Sequence, residues 1–99
     1  MYDKGQGVPK NDKTAVKWFK LAAEQEHTDA QYNLGVMYEK GQGVIQDNVY
    51  AHMWYNIAAS QNDHWGSYRD DIAKKMTRTD ISAAKKLARE CIRKKYKGC

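Results

Sequence analysis

The sequence lacks a long hydrophobic segment. No apolar run approaches the roughly 18 residues that a membrane-spanning helix requires. The N-terminus also lacks a basic stretch followed by an apolar stretch, the pattern of a secretory signal peptide. A soluble protein is therefore expected, without any indication of its compartment.

Cysteine is scarce, since the chain has only Cys91 and Cys99. If one helix ran through both, their Cα atoms would lie about 12 Å apart. A disulfide needs a separation below roughly 7 Å, which a frayed tail could reach only by folding back. The spacing favours two free thiols, with Cys91 packed in the interior.

Few residues have the spacing that metal binding or catalysis requires. His27 and His64 fall in predicted turns, and His52 has no His or Cys three or four residues away. Asp70 and Asp71 are adjacent on a predicted helix, so their carboxylates point apart and are solvated. We expect no catalytic residue, no metal ligand and no cofactor.

The net charge of +5 is unevenly distributed along the chain. Basic and acidic residues balance over residues 1–36, whereas residues 37–72 carry −3 and residues 73–99 carry +8. The basic character therefore belongs to the C-terminal segment alone.

One octapeptide occurs twice: MYDKGQGV opens the chain and MYEKGQGV returns at residues 37–44. The same offset of 36 aligns residues 1–34 with residues 37–70 and gives thirteen identities, mostly aromatic residues, alanines and glycines. A fixed period of this length is typical of tandem structural repeats.

Two segments that are 36 residues apart have the same helical pattern. In each, apolar residues recur at i, i+3, i+4, i+7 and i+8, which predicts one apolar stripe per helix and aromatic side chains in the core. The two sets are Ala15, Trp18, Phe19, Ala22 and Ala23, and Ala51, Trp54, Tyr55, Ala58 and Ala59.

A helix of another type is predicted between them. Asp29 can cap its start with its carboxylate, and Gly41 can end it in the left-handed conformation. Its apolar face consists of Ala30, Leu34, Met37 and Tyr38.

The segment Gly41-Gln42-Gly43 has two interpretations. As a corner between antiparallel helices, it needs glycine for positive φ and close backbone approach, with Val44 against the core. As a phosphate-binding loop, it needs a preceding strand. Since no β-branched run precedes either copy, the corner is favoured.

These motifs resemble the Sel1-like repeat family, relatives of the tetratricopeptide repeats. The matching residues are Leu34-Gly35, Met37-Tyr38, Gly41, Gly43-Val44, Ala51, Trp54-Tyr55 and Ala58-Ala59. The resemblance covers residues 1–59. It implies an all-α fold, a right-handed α/α superhelix of antiparallel helix hairpins with a period of 36 and a C-terminal capping helix. It also implies a non-enzymatic adaptor for protein–protein interaction.

A single repeat domain is predicted over residues 1–99. It comprises a partial first repeat at 1–26, a complete second repeat at 27–62, and a divergent third repeat with a basic cap at 63–99. In the last helix, which starts with a capping box from Thr77 to Asp80, one face is apolar and the opposite face basic. The inward residues are Ile81, Ala84, Ala88 and Cys91, and the outward residues are Lys85, Lys86, Arg89 and Arg93.

Two positions depart from the family pattern, which usually has glycine after the second helix. Glu26 and Asn62 occupy these positions. Asn tolerates the left-handed conformation and Glu does not readily adopt it, so a different turn is expected at Glu26.

The N-terminal repeat is incomplete, because residues 1–4 match only the end of a first helix. The helix at 12–25 is therefore expected to lack a neighbour and to expose Val16 and Phe19. Such a surface predicts a homo-oligomer or another partner at this end.

The resemblance also places a protein or peptide ligand in the concave groove that first helices line. The predicted groove residues are Asp29, Tyr32, Val36, Glu39, Lys40, Trp65, Tyr68 and Lys75. Alternatively, Tyr32 and Tyr68 only pack between hairpins. Two alternative functions are a basic C-terminal helix that docks on nucleic acid or an anionic surface and, least favoured, a hydrolase-type enzyme.

Overall fold

The computed structural model describes residues 11–99, which form five α-helices and no strand. The first copy of the octapeptide and the predicted first-helix remnant lie outside this range. No helix within it is both long and apolar enough to cross a membrane. The helices are α1 (Asp12–Ala23), α2 (Thr28–Lys40), α3 (Asn48–Gln61), α4 (Gly66–Ala73) and α5 (Arg78–Arg93), with a short 3₁₀ turn (Asp63–Trp65) before α4.

Three of the helices begin at a side chain that accepts a hydrogen bond from a backbone N–H of the first turn. These caps are Asn11 for α1, Asp47 for α3 and Thr77 for α5. Each one satisfies a donor that has no partner within its helix. The predicted start of the last helix at Thr77 is thus confirmed.

The predicted cap of α2 is wrong. The helix begins at Thr28, so its N-cap is His27, which makes no side-chain cap bond. Asp29 is the second residue of the helix, two positions past the N-cap, and so cannot cap it. Its carboxylate still lies in the first turn, where the helix dipole favours negative charge.

Helix α3 is the centre of the fold, since it packs against α2, α4 and α5. Nearly all of its side chains from Ala51 to Ala59 are buried, including the large side chains of Trp54, Tyr55 and Ile57. Burial of each such side chain contributes about 1.5–3 kcal/mol to folding.

The glycine corner after α2 is confirmed. Gly41 has φ +71° and Gly43 has φ +75°, and Val44 packs against the core. A Cβ atom on Gly43 would overlap the backbone of Asp12, at the start of α1. Gly43 therefore lets the corner of one hairpin approach the helix of the preceding repeat.

Helix α1 is rotated relative to the sequence prediction. The prediction that Val16 and Phe19 are exposed is wrong, because Val16 is buried and Phe19 is half-buried. Conversely, Trp18, predicted to lie in the core, is 63% exposed. Val16 and Ala23 lie seven residues apart on the buried line of α1, and Trp18 lies about 150° round from that line. The apolar stripe is wide, and only one of its edges faces the core.

The turn after α1 also contradicts the prediction. Glu26 adopts the left-handed conformation, with φ +67°. Its N–H donates to the Ala23 carbonyl (3.0 Å) and the His27 N–H donates to the Ala22 carbonyl (3.2 Å), the two hydrogen bonds of a Schellman motif. Glu26 therefore takes the role of a glycine, whereas Asn62, expected to tolerate that role, is extended with φ −154°.

Cys91 and Cys99 form a disulfide, with their Cα atoms 5.8 Å apart, so the prediction of free thiols is wrong. Helix α5 ends at Arg93, and the left-handed residues Lys95 and Tyr96 reverse the chain. The N–H of Tyr96 donates to the Cys91 carbonyl at 2.8 Å, which returns the tail towards α5.

The capping helix α5 has the predicted faces. Ala84, Ala88 and Cys91 are buried and Ile81 is half-buried against the rest of the fold. The four basic residues predicted to face outward are all exposed. Helix α5 therefore has an apolar inner face and a basic face open to solvent.

Candidate protein-binding surface

Four aromatic rings from three different helices and the turn before α4 meet on one side of the fold. We call Tyr32, Tyr55, Trp65 and Tyr68 the aromatic patch. The ring of Tyr32 lies between the rings of Trp65 (stacked, 4.5 Å between centroids) and Tyr68 (tilted, 4.7 Å). Such aromatic pairs contribute about 0.5–1.5 kcal/mol beyond their buried area. The patch therefore links α2 and α3 to the turn before α4 and to α4 itself.

The aromatic patch has a buried base and a solvent-exposed rim. Tyr55 forms the base and is 1% exposed, whereas Tyr68 is 38% exposed. Tyr32 and Trp65 are half-buried. A partner would therefore meet Tyr68 and the open parts of Tyr32 and Trp65.

Gly35 makes room for the base of the patch. A Cβ atom at this position would lie 2.5 Å from two ring carbons of Tyr55. Any side chain there would collide with the ring. The Leu34-Gly35 pair of the repeat pattern thus has two roles: Leu34 fills the core, and Gly35 admits the ring.

A carboxylate and an ammonium group lie at one edge of the patch. The hydroxyl of Tyr55 donates to Glu39 Oε1 at 2.7 Å. The second oxygen, Oε2, lies 3.7 Å from Lys75 Nζ. Because the Lys75 side chain is 66% exposed, this ion pair stabilises the fold only weakly. Both charges remain available to a partner.

The two most enclosed tyrosines of the patch stay neutral at physiological pH. Burial raises the pKa of the Tyr55 phenol, and its hydrogen bond to Glu39 raises it further. Burial also raises the pKa of Tyr32, with an additional contribution from Tyr68. Tyr55 therefore remains a hydrogen-bond donor to Glu39, and the patch gains no phenolate charge.

The predicted groove residues are only partly gathered at this surface. Val36 packs against the buried cluster around Tyr55. Asp29 and Lys40 are exposed in the first turn and at the end of α2. The predicted residues that lie in or against the patch are Tyr32, Val36, Glu39, Trp65, Tyr68 and Lys75.

Sequence reasoning assigned Tyr55 to the core and missed its place under the patch. It lies one residue from Trp54 in the repeated aromatic pair, but the two side chains point to different clusters: Trp54 to the main core, and Tyr55 to the cluster with Ile72. The sequence did indicate this difference, since side chains at neighbouring positions of a helix point about 100° apart.

A buried polar network was also missed. Gln31 is fully buried; its Nε2 donates to the Ala23 carbonyl (3.2 Å), and its Oε1 accepts from Gln61 Nε2 (2.9 Å). Gln61 Nε2 also lies 3.3 Å from the Tyr96 hydroxyl. This chain of contacts joins α1, α2, α3 and the C-terminal tail, so we assign Gln31 and Gln61 a structural role.

Residues 11–99 contain no group of three or more His, Cys, Asp or Glu side chains arranged to hold a metal ion. His52 is the only buried histidine among these residues, with 2% of its area exposed, and it lies outside the aromatic patch. What the patch does offer is ring faces, one carboxylate and one ammonium group, the chemistry of non-covalent recognition.

Comparison with known proteins agrees with this fold. The sequence model of the Sel1 repeat matches residues 1–27 and 28–63. Among solved structures, the chain is similar to a protective antigen of uropathogenic Escherichia coli strains that displays an SLR fold, with 35% identity over 94% of this chain and a TM-score of 0.86. It spans only 20% of that antigen. No curated protein matches the chain.

The predicted all-α solenoid of helix hairpins is thus confirmed, and so is the resemblance stated from the repeated motifs. Repeats of this kind generally serve as protein-interaction scaffolds and are typically not enzymes. On the strength of the two repeat matches and the structural likeness over nearly its whole length, the chain belongs to the Sel1 repeat family.

Proposed function

We propose that the chain is a scaffold that binds a peptide or protein partner on the aromatic patch. One observation carries this proposal: the 4.5 Å stack of Tyr32 on Trp65 joins α2 and the turn before α4 into one surface. Beside the stack, Tyr68 exposes 38% of its area. Aromatic side chains of this kind dominate the binding energy of protein interfaces.

The charges around the patch suit an extended ligand. Glu39 and Lys75 at one edge can pair with charges of the partner, at the cost of a weak ion pair of their own. Asp29 and Lys40 lie at opposite ends of α2 and extend the proposed contact surface along that helix.

The competing interpretation is that the rings only hold the two hairpins together. It predicts that Tyr68→Ala changes stability and nothing else. The proposal predicts that this variant loses binding while it remains folded, since Tyr68 is the most exposed ring of the patch.

A selection experiment separates the two interpretations. Random 12-residue peptides displayed on phage are panned on the immobilised chain, and an enriched peptide is then measured by titration calorimetry. We expect Tyr68→Ala to weaken binding at least about tenfold. The control is Ile45→Ala, because Ile45 is an apolar side chain outside the patch and 89% exposed; it should bind as the unchanged chain does.

Two results would refute the proposal. One is that every enriched peptide binds the Tyr68→Ala variant as tightly as the unchanged chain. The other is that panning enriches no peptide over a blank surface. Thermal unfolding of the variant, followed by circular dichroism, verifies that it remains folded.

A second candidate surface is the outer face of α5, where four basic side chains are exposed together: Lys85, Lys86, Arg89 and Arg93. It favours docking on nucleic acid or another anionic surface. If this face binds a DNA duplex, affinity will fall steeply with salt, because bound cations are released from the phosphates. Binding through the aromatic patch should change little between 50 and about 200 mM salt.

A further inference from the structure

Helix α1 carries two large apolar side chains that the other described residues leave in solvent: Trp18 is 63% exposed and Leu21 is 45% exposed. The residues at the same positions of the next repeat, Trp54 and Ile57, are 1% and 0% exposed. In α3 these positions are covered by neighbouring elements. The fold therefore buries these two positions wherever a neighbour is present.

Several exposed residues of α1 form a regular stripe. Thr14, Trp18 and Leu21 are all exposed, and their spacing of four and three residues places them on one helix face. Gln25, four residues further on, is exposed in the turn that follows α1. This spacing is the one with which two helices interlock along a seam.

The flank of this stripe carries one charge of each sign. Lys17 is exposed and Glu24 is half-exposed, and their separation of seven residues places them on the same side of the stripe. Within residues 11–99, Glu24 Oε2 accepts one long hydrogen bond, 3.5 Å, from the Gly98 N–H. The stripe is thus basic towards its start and acidic towards its end.

We propose that two copies of this chain associate through α1, antiparallel about a twofold axis between Trp18 and Leu21. In this arrangement Trp18 of each copy packs on Leu21 of the other. Because residues on the same flank meet in an antiparallel pair, Lys17 of each copy also faces Glu24 of the other. The surface is complementary to itself in both shape and charge, as a twofold interface requires.

The association is expected to be weak. Helix α1 has twelve residues and is therefore about 18 Å long. One pair of such helices buries less than the roughly 1,200 Å² of a stable interface. A dissociation constant of about 0.1 mM is consistent with a contact of this size.

Pairing through α1 leaves the aromatic patch free, because the patch residues lie on α2, α3, α4 and the turn before α4. A pair of chains would present two patches to one ligand-bearing surface. Two weak sites that act together bind more tightly than either alone. This consequence depends on the proposed function, whereas the pairing itself does not.

The first test is sedimentation equilibrium of the full chain at protein concentrations from about 10 µM to 1 mM. We expect the apparent mass to rise towards twice the monomer mass. Leu21→Lys should stay monomeric at every concentration, and the control Ile45→Lys, also a change at an exposed apolar residue, should associate like the unchanged chain. A constant monomer mass for the unchanged chain overturns the proposal.

The second test exchanges the charges. Lys17→Glu leaves two acids on the flank and Glu24→Lys leaves two bases, so each variant alone repels its own copy. Mixed in equal amounts at low salt, the two variants should pair at least about tenfold more tightly than either pairs with itself. An equal mixture that stays monomeric while the unchanged chain pairs would overturn the antiparallel arrangement.

Discussion

At the scale of single residues, His52 stands out because it is buried in a position that the preceding repeat fills with Val16, a purely apolar side chain. Its Nδ1 is buried without a hydrogen-bond partner. Burial lowers the pKa of His52, and the positive charges of Arg69 and Lys85 lower it further, with Asp70 opposing them. The imidazole is therefore held neutral in the folded chain.

This environment predicts a pH-dependent stability. Because the folded pKa of His52 lies below the unfolded value of 6.5, the folded state binds fewer protons than the unfolded state. The stability that the chain gains from keeping His52 neutral is complete above pH 6.5. It is lost as the pH falls through the folded pKa. Urea unfolding between pH 5 and 8 should therefore show falling stability on the acid side.

The variant His52→Val should remove that part of the slope and stabilise the chain by about 1 kcal/mol, since it removes an unpaired buried polar atom. His27→Gln is the matched control, because His27 is exposed. An unchanged slope in the His52→Val variant would contradict this account.

Gly35 gives a second prediction at this scale. In Gly35→Ala the new Cβ would meet the Tyr55 ring, which cannot move freely because it is buried and bonded to Glu39. A loss of about 1–3 kcal/mol in unfolding free energy is expected. Gly66→Ala is the control: its Cβ would have only Arg69 within reach, at 3.5 Å, so little change is expected in thermal unfolding.

At the scale of the elements, the C-terminal tail depends on the disulfide. The bond between Cys91 and Cys99 closes a short loop, and Tyr96 and Cys99 pack against the core. Without the bond, the unfolded chain would have more conformational entropy, and folding these residues into place would cost more free energy. The tail is thus a covalently closed extension of the capping helix.

Replacing both Cys91 and Cys99 with Ala should therefore lower the unfolding free energy by about 2–3 kcal/mol, the constraint expected for a loop of this length. Urea unfolding with and without a reducing agent measures the effect. The reductant should destabilise the unchanged chain and leave the double variant unaffected. Equal sensitivity of the two proteins would show that the disulfide is not the cause.

Most elements were visible in the sequence, and the reasons are local. The apolar stripes of α1 and α3, the Thr77 cap and the Gly41 corner each depend on residues within a few turns of one another. The end of α5 was not visible, because Lys95 and Tyr96 adopt left-handed conformations that neither residue type favours.

At the scale of the whole molecule, stability is concentrated in α3, the helix with neighbours on most sides. Amide hydrogen exchange should therefore be slowest for residues 51–59 and faster for α1 and α4, which lie at the margins of the fold. Mass spectrometry of exchanged peptides measures this order. Slower exchange in α1 than in α3 would show that the repeats do not depend on the central helix.

The candidate site was predictable in part. The 36-residue offset that relates the two octapeptides also separates Tyr32 from Tyr68, and their rings do meet, with centroids 4.7 Å apart. That Trp65 stacks on Tyr32, and that Tyr55 lies beneath, depends on how α3 and α4 pack against α2. Spacing along the chain carries no information about that packing.

The sequence by itself determined the helices, their corner, the repeat and the basic cap, since each follows from interactions between residues close in the chain. The tertiary structure decided which edge of the α1 stripe is buried, which conformation Glu26 adopts, and that the two cysteines meet. Those outcomes depend on helix rotation and chain reversal. Both are set by contacts between residues far apart in sequence, which local patterns leave undetermined.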